Sequence, residues 1–412
     1  MKFLSTLLDG VTEYETLVSA VERHNTPAAV TGVSGIHKAH LIHSLCARTG
    51  RKALVLASDE GEGQRLCNDL SSMGTAALVY PARDFNFRAA EGQSREYEHQ
   101  RLQVMAGMLD GDYQVVISCI DAALQYTIPP DELRSKRLTL RAGQEAPLEK
   151  IEALLSASGY ERYQQVEGPG QFAVRGGILD FFTPDASTPV RVEFWGDEVD
   201  SLSSFDMESQ RRTESIPQVT LAPCVEVIPE KPAFLAQKIE KLAASLRGKN
   251  APKAKEVLRG EAEKLKNGLR IGSMDKFIAL VYPQAATLFD YFPPEDSLLF
   301  FSEGNKLKER VRTTLWQWGE DVKSYLAEGL LCKGLDQYSQ DWEYALGKAE
   351  ETPTLFLDLF ARGSYEIPTK TLVNMTAKQL SPWGGGVELL AEDLRALLDQ
   401  GRACAVLTGT ER

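Results

Sequence analysis

Four short apolar runs near the start of the chain limit its fold more than any other feature. They are AAVTGV (Ala28 to Val33), KALVLA (Lys52 to Ala57), AALVYP (Ala76 to Pro81) and YQVVISC (Tyr113 to Cys119). Each reads as a buried strand. Segments of helical spacing, such as HKAHLIHSLCAR and SREYEHQRLQVMAGMLDG, lie between them. Strand, helix, strand in that order predicts an α/β fold with a mainly parallel sheet and helices against it.

From about Thr127 the texture changes. IPPDELRSKRLTLRAGQ leads into a helix over Pro147 to Ser158, then into the period-two runs QFAVRGGILDFFTP and PVRVEFWGDEVDSLSSFD. The Gly-Gly, Thr-Pro-Asp and Gly-Asp breaks suit turns, so a small α+β insert is expected here. After Ile216 the chain turns helical again (Lys238 to Leu246, Ala254 to Leu269, Lys306 to Leu326). Strands are expected near Ser297 to Phe301, Thr354 to Leu359 and Lys370 to Asn374. SPWGGG (Ser381 to Gly386) reads as a linker or turn, and VELLAEDLRALLDQGRACAVLTGTER as a helix followed by a strand. The chain stops just after that strand, which reads as a truncation. The expected divisions fall at 1–126, 127–212, 213–345 and 346–412, the last being a linker and part or all of a following small α/β domain.

A chain of 412 residues suits two to four domains at roughly 150 residues each. With 58 acidic and 46 basic residues it carries a net charge of −12, a balance that argues against autonomous duplex binding, which rests on Lys and Arg. The six cysteines form no CxxC pair, so neither a zinc site nor a disulfide framework is indicated, and a reduced cytoplasmic setting is expected. MKFLSTLLDG is a poor signal peptide, and no apolar run approaches the ~20 residues that span a bilayer. No membrane partner is expected.

The segment AAVTGVSGIHKAHLIHSL carries the outline of a phosphate-binding loop, GxxxxGK[ST] between strand and helix. Gly32 matches the first glycine and Lys38 the lysine, with Gly35 inside the loop between them. His37 stands where the second glycine of the pattern lets backbone approach phosphate, and Ala39 where a hydroxyl would hold Mg²⁺. The second half of such a site, an acidic pair after a buried strand, falls in DYFPPEDSLLFFSEGNKLKERV at Ser302-Glu303, with Ser302 in place of the metal-holding Asp. Two independent losses predict no bound nucleotide and no catalytic residues. His37, His40 and His43 share a broad helix face, but with no carboxylate or Cys in register they read as a solvated or packed face and not as a metal site.

The decayed loop, SREYEHQRL, VVISCIDAALQYTIPP, GYERYQQVEGPGQFAVRGGILDFFTP and VRVEFWGDEVDSLSSFDMESQR follow one another in an order that resembles UvrB, and more closely the N-terminal UvrB-like module of the bacterial transcription-repair coupling factors. The resemblance covers residues 1 to 345 and is most specific across Gly159 to Gln210. It implies a degenerate helicase-like domain, split by an insert that binds UvrA. The family's contact arginines fall on Arg162 and Arg175, and a further UvrB arginine is replaced here by Ala173. Gly176, Gly177, Phe172 and Phe182 complete the expected UvrA-binding set. The resemblance further implies a docking module for nucleotide excision repair. ATP, Mg²⁺, RNA polymerase and double-stranded DNA would belong to a translocase part whose motifs are absent from these residues. The alternative is a UvrB-type ATP-dependent DNA helicase with a divergent but working site.

Overall fold

The computed structural model describes residues 3–88, 95–248, 250–269, 271–376, 386–402, 404 and 406. The four apolar runs form β1 (Ala28–Thr31), β2 (Lys52–Ala57), β3 (Ala77–Tyr80) and β4 (Val115–Cys119). Next come β5 (Leu138–Arg141), β6 (Glu161–Arg162), β7 (Gln171–Arg175), β8 (Ile178–Phe181), β9 (Val190–Trp195), β10 (Glu198–Phe205), β11 (Arg212–Ser215) and β12 (Gln218–Leu221). The last three are β13 (Ser297–Ser302), β14 (Thr354–Asp358) and β15 (Thr371–Asn374).

Seven strands make one parallel sheet in the order β15-β1-β14-β13-β2-β4-β3. Its two faces are buried under separate apolar layers. Val30, Val55, Ile117, Phe300 and Leu355 pack with the Thr12–Glu22, Ile36–Thr49 and Glu60–Ser72 helices. Leu54, Leu56, Val116, Phe301 and Phe356 pack with helices that include Pro232–Ser245, Ala251–Lys266 and Gly304–Glu328. Covering on both faces explains why these strands read as unbroken apolar runs. The α/β class is observed.

A second sheet, in the order β11-β10-β9-β8-β7-β6, is antiparallel except for the short β6–β7 pair. Antiparallel pairing of β5 with β12 zips the incoming chain to the outgoing chain. The insert is therefore closed at 138–221, where 127–212 was expected. Tyr126 and Thr127 donate backbone hydrogen bonds to Tyr338 and Ala286, and Ile128 and Leu133 are buried in the main body. The prolines at 129 and 130 change the texture of the sequence without moving the chain out of the first core.

β14 and β15 also depart from expectation. They flank β1 in the main sheet, so the first fold unit runs on to Asn374 and does not end at 345. SPWGGG up to Gly385, and most of the terminal strand expected after Gln400, lie outside the described residues. The Val387–Asp399 helix has no buried residue. Among the described residues, no helix is long and apolar enough to cross a membrane.

Candidate functional site

In a parallel α/β sheet, ligands gather outside the carboxyl ends of the strands. Here that edge brings the two decayed half-sites together. Gly32 follows β1 with φ +82°, and a Cβ there would stand 2.1 Å from the Met375 carbonyl oxygen, so only glycine fits. Gly35 caps the Ile36–Thr49 helix. The amides of His37, Lys38 and Ala39 are turned inward, donating to the Ser34 and Gly35 carbonyls at 3.0, 3.0 and 3.4 Å. His37 is half-buried, and burial and the nearby His40 lower its pKa below the usual histidine value.

Lys38 is buried and already neutralised. Its Nζ lies 2.7 Å from Glu303 Oε1 and donates to Ser302 Oγ at 2.9 Å. Ser302 Oγ in turn donates to Glu62 Oε1 at 2.5 Å, and Glu62 stands 3.8 Å from Lys38. Glu303 Oε1 also accepts from the Leu359 amide at 3.1 Å. The neighbouring strand ends repeat the pattern. Asp358 holds Arg362 and Tyr365, and Asp121 holds Arg310 at 2.8 Å. A carboxylate of the protein thus occupies the lysine's reach, where a phosphate would otherwise sit. Glu62 carried no sequence signal, because its partner Ser302 is 240 residues away. Two of the three histidines on this helix bond protein atoms, His40 the Leu4 carbonyl at 2.8 Å and His43 the Thr75 hydroxyl at 2.7 Å.

The insert offers a different kind of surface. One face of its six-stranded sheet is covered by the Leu148–Ala157 helix through Ile151 and Leu155, which pack on Phe172, Leu179, Phe181, Val192 and Leu202. On the other face Val166, Ala173, Phe182 and Phe205 form only a small apolar cluster. Two registers run across that face, Arg175–Ile178–Glu193–Ser201 and Ala173–Asp180–Arg191–Ser203. Asp180, buried in the second of these, holds an arginine from each strand beside it: Arg175 Nη2 at 2.8 Å, Arg191 Nε at 2.7 Å and Arg191 Nη2 at 2.8 Å. The Arg191 guanidinium lies over the Phe205 ring at 4.8 Å, and Arg212 pairs with Glu193. Such clamps set the guanidiniums without long-lived side-chain freedom, which lowers the ordering cost of binding.

The β7–β8 and β9–β10 turns of this sheet lie at its Arg175 end. Gly176 (φ +61°) and Gly177 turn β7 into β8, and the Phe194 amide donates to the Gly177 carbonyl at 2.8 Å. A Cβ on Gly177 would stand 2.9 Å from the Phe194 oxygen, so the two hairpins touch only because this residue is glycine. Trp195, at the tip of the second hairpin, is 84% exposed. Arg175 and Trp195 are therefore exposed together at one end of this face, while Ala173, Asp180 and Ser203 further along it are buried.

The expected UvrA-binding set is split by the structure. Arg162 and Arg175 are both exposed, at 58% and 47% of their side chains, but on opposite faces. Arg162 is in register with the core residue Phe172 and bonds Glu152 of the covering helix at 2.9 Å. Phe172 and Phe182 are both buried, Phe172 under the covering helix and Phe182 in the small cluster of the other face, so neither side chain is free to touch a partner. Arg191, Glu193 and Trp195 were missed. Their signal was present in VRVEFW, as the residues alternating with buried Val190, Val192 and half-buried Phe194.

Comparison with known proteins agrees with this division. Residues 138–226 match the UvrB interaction domain family, nearly the span closed by β5 and β12. The chain is 26% identical over 404 residues to the transcription-repair-coupling factor of Bacillus subtilis, covering 96% of this chain and 34% of that protein. It is 24% identical over 397 residues to the protein of the same name from Staphylococcus epidermidis, covering 93% and 33%. A Staphylococcus aureus relative is 22% identical over 425 residues, covering 100% and 35%. The chain spans about a third of the length of these curated relatives.

Proposed function

We propose, on the premise that this chain is a homologue of the transcription-repair-coupling factors with a UvrB interaction domain at its centre, that it docks UvrA and performs no catalysis itself. The observation that carries this reading is the exposed hairpin end of the insert, where Asp180 fixes Arg175 near exposed Trp195, with Arg191 sheltered behind them. Arginine and tryptophan are the residue types that carry most interface energy. Arg162 would contribute only at the β6 edge, as a second and weaker contact. The test is a pull-down of UvrA with the chain and its Arg175→Ala and Arg162→Glu variants. Retention by the parent and loss on Arg175→Ala is expected; equal retention by both variants would remove the site assignment.

In this reading the module brings excision repair to stalled transcription. RNA polymerase displacement and ATP-driven translocation on duplex DNA are proposed for the part of the longer relatives that has no counterpart here. A cytoplasmic setting and the absence of a bound cofactor are proposed with it. The alternative, a working UvrB-type ATPase, is disfavoured by the Lys38–Glu303 pair, which engages the one cation the loop retains. Titration with a fluorescent ATP analogue decides between them: saturable, Mg²⁺-dependent binding at micromolar level would support the alternative.

A further inference from the structure

The chain as a whole is acidic, but its charge is unevenly distributed. Residues 231 to 270 hold eleven Lys or Arg against four Glu, in a protein of net charge −12. This stretch forms two helices packed against each other, Pro232–Ser245 and Ala251–Lys266, joined by a short turn. Elsewhere, many surface cations have a carboxylate within reach, as Arg88 has Glu328, Arg137 has Asp110 and Arg48 has Asp9. At the turn, Arg247, Lys255 and Arg259 line one open bay of about 650 Å³ with Leu246 and Pro252, and Glu256 is the bay's sole acid. Among the described residues none of these three cations has a carboxylate within ion-pair distance; Arg247 donates instead to the Ala244 and Leu246 carbonyls.

The chemistry of the bay narrows its partner. Leu246 is half-buried, and the bay has no aromatic anchor, so it lacks the apolar centre of a protein interface. With no ring to stack a base it is poorly suited to single strands. Glu256 apart, its polar side chains are cationic donors, which suit phosphate oxygens and read no base edge. Unpaired cations around an open bay at a helical turn fit a regular row of phosphates. We propose that this turn is a salt-sensitive contact for the phosphate backbone of double-stranded DNA, independent of the insert and of the UvrA reading.

The test is fluorescence anisotropy of a labelled duplex of mixed sequence, titrated with the full 412-residue chain at ~50 mM and ~200 mM salt, the range over which phosphate contacts weaken most visibly. The variant R247E/K255E/R259E is compared with R23E/R48E/R65E, which makes the same change in net charge on exposed residues of the helices across the sheet. Expected are binding at low salt, a fall of at least tenfold in the first variant, little change in the second, and a salt slope shallower by about 0.9 for each phosphate no longer neutralised. Thermal melts of both variants check folding. No binding at low salt, equal losses in the two variants, or tighter binding of single-stranded DNA, duplex RNA or poly-glutamate would each overturn the proposal.

Discussion

At the scale of single residues, two carboxylates organise the molecule in opposite senses. Asp180 is buried and holds one arginine, Arg175, toward solvent with Arg191 sheltered beside it, whereas Glu303 draws a lysine away from solvent. Arg175→Ala removes a half-exposed partner, so its cost to stability should stay below about 1 kcal/mol. Its effect on UvrA affinity should reach tenfold or more, as loss of an interface anchor does. Asp180→Asn leaves the sheltered Arg191 without its counter-charge and should lower stability by about 3 kcal/mol; paired thermal melts and calorimetric titrations separate the two effects. Glu303→Ala should also cost about 3 kcal/mol, because buried Lys38 keeps only Ser302 and the more distant Glu62. A melt unchanged by Glu303→Ala would mean that the pair is no structural tie. The decayed loop was legible in the sequence because glycine and lysine spacing is local. The part of its closure made by Glu62 was not, because that residue sits on a separate helix with no spacing cue to tie it to Ser302.

At the scale of elements, the Glu96–Asp110 helix connects the body to the insert. His99 lies against Gly170 of the insert, and burial, with Arg95 nearby, lowers its pKa to about 4 against a weaker opposing bond to Cys224. Its neighbour Glu98 accepts from the Glu226 amide at 2.8 Å and faces Arg83, Asp275 and Glu226; burial and the Asp275 charge push it up to about 7. Burial also acts to raise Glu226, but Arg101 and Arg83 outweigh it and hold that carboxyl below its usual range. The two shifts oppose each other. A histidine lowered in the folded state binds fewer protons there, so its contribution is lost as pH falls from about 6.5 to about 4. A glutamate raised in the folded state binds more, so its contribution is lost as pH rises from about 4.5 to about 7. Between pH 4.5 and 6.5 the two slopes should largely cancel. Glu98→Gln should therefore make stability fall with acidification over that window, and His99→Gln should make it fall with alkalinisation. Denaturant midpoints measured at several pH values check both signs; a common slope in the two variants would contradict the assignment. The β7–β8 and β9–β10 hairpins were legible from their alternation and Gly breaks. The pairing of β5 with β12 was not, since its register partners stand at least 77 residues apart in the chain and no single tight turn joins them.

At the scale of the whole molecule, the insert closes on itself through Leu138 and Leu221, which are register partners. Replacing residues 138–221 by a short Gly-Ser link should therefore leave the seven-stranded body folded. A cooperative melt and retained far-UV ellipticity would be the signature, with UvrA binding abolished; retained binding would place the docking surface on the body. The parallel sheet was readable from β1 to β4 because strands covered on both faces leave unbroken apolar runs. The return of β14 and β15 to flank β1 was not readable, because a buried strand carries no mark of which sheet it joins. The side on which Arg175 and Arg162 emerge needed the register, and it reduced an expected pair of contacts to one face and one edge. The central claim, that the face of Arg175, Arg191 and Trp195 docks UvrA, is tested most directly by calorimetric titration of UvrA with the parent chain, Arg175→Ala and Trp195→Ala. The predicted result is saturable binding by the parent and at least tenfold weaker binding by each variant with unchanged melting. Unaltered affinity in both variants, or no binding by the parent, would contradict it.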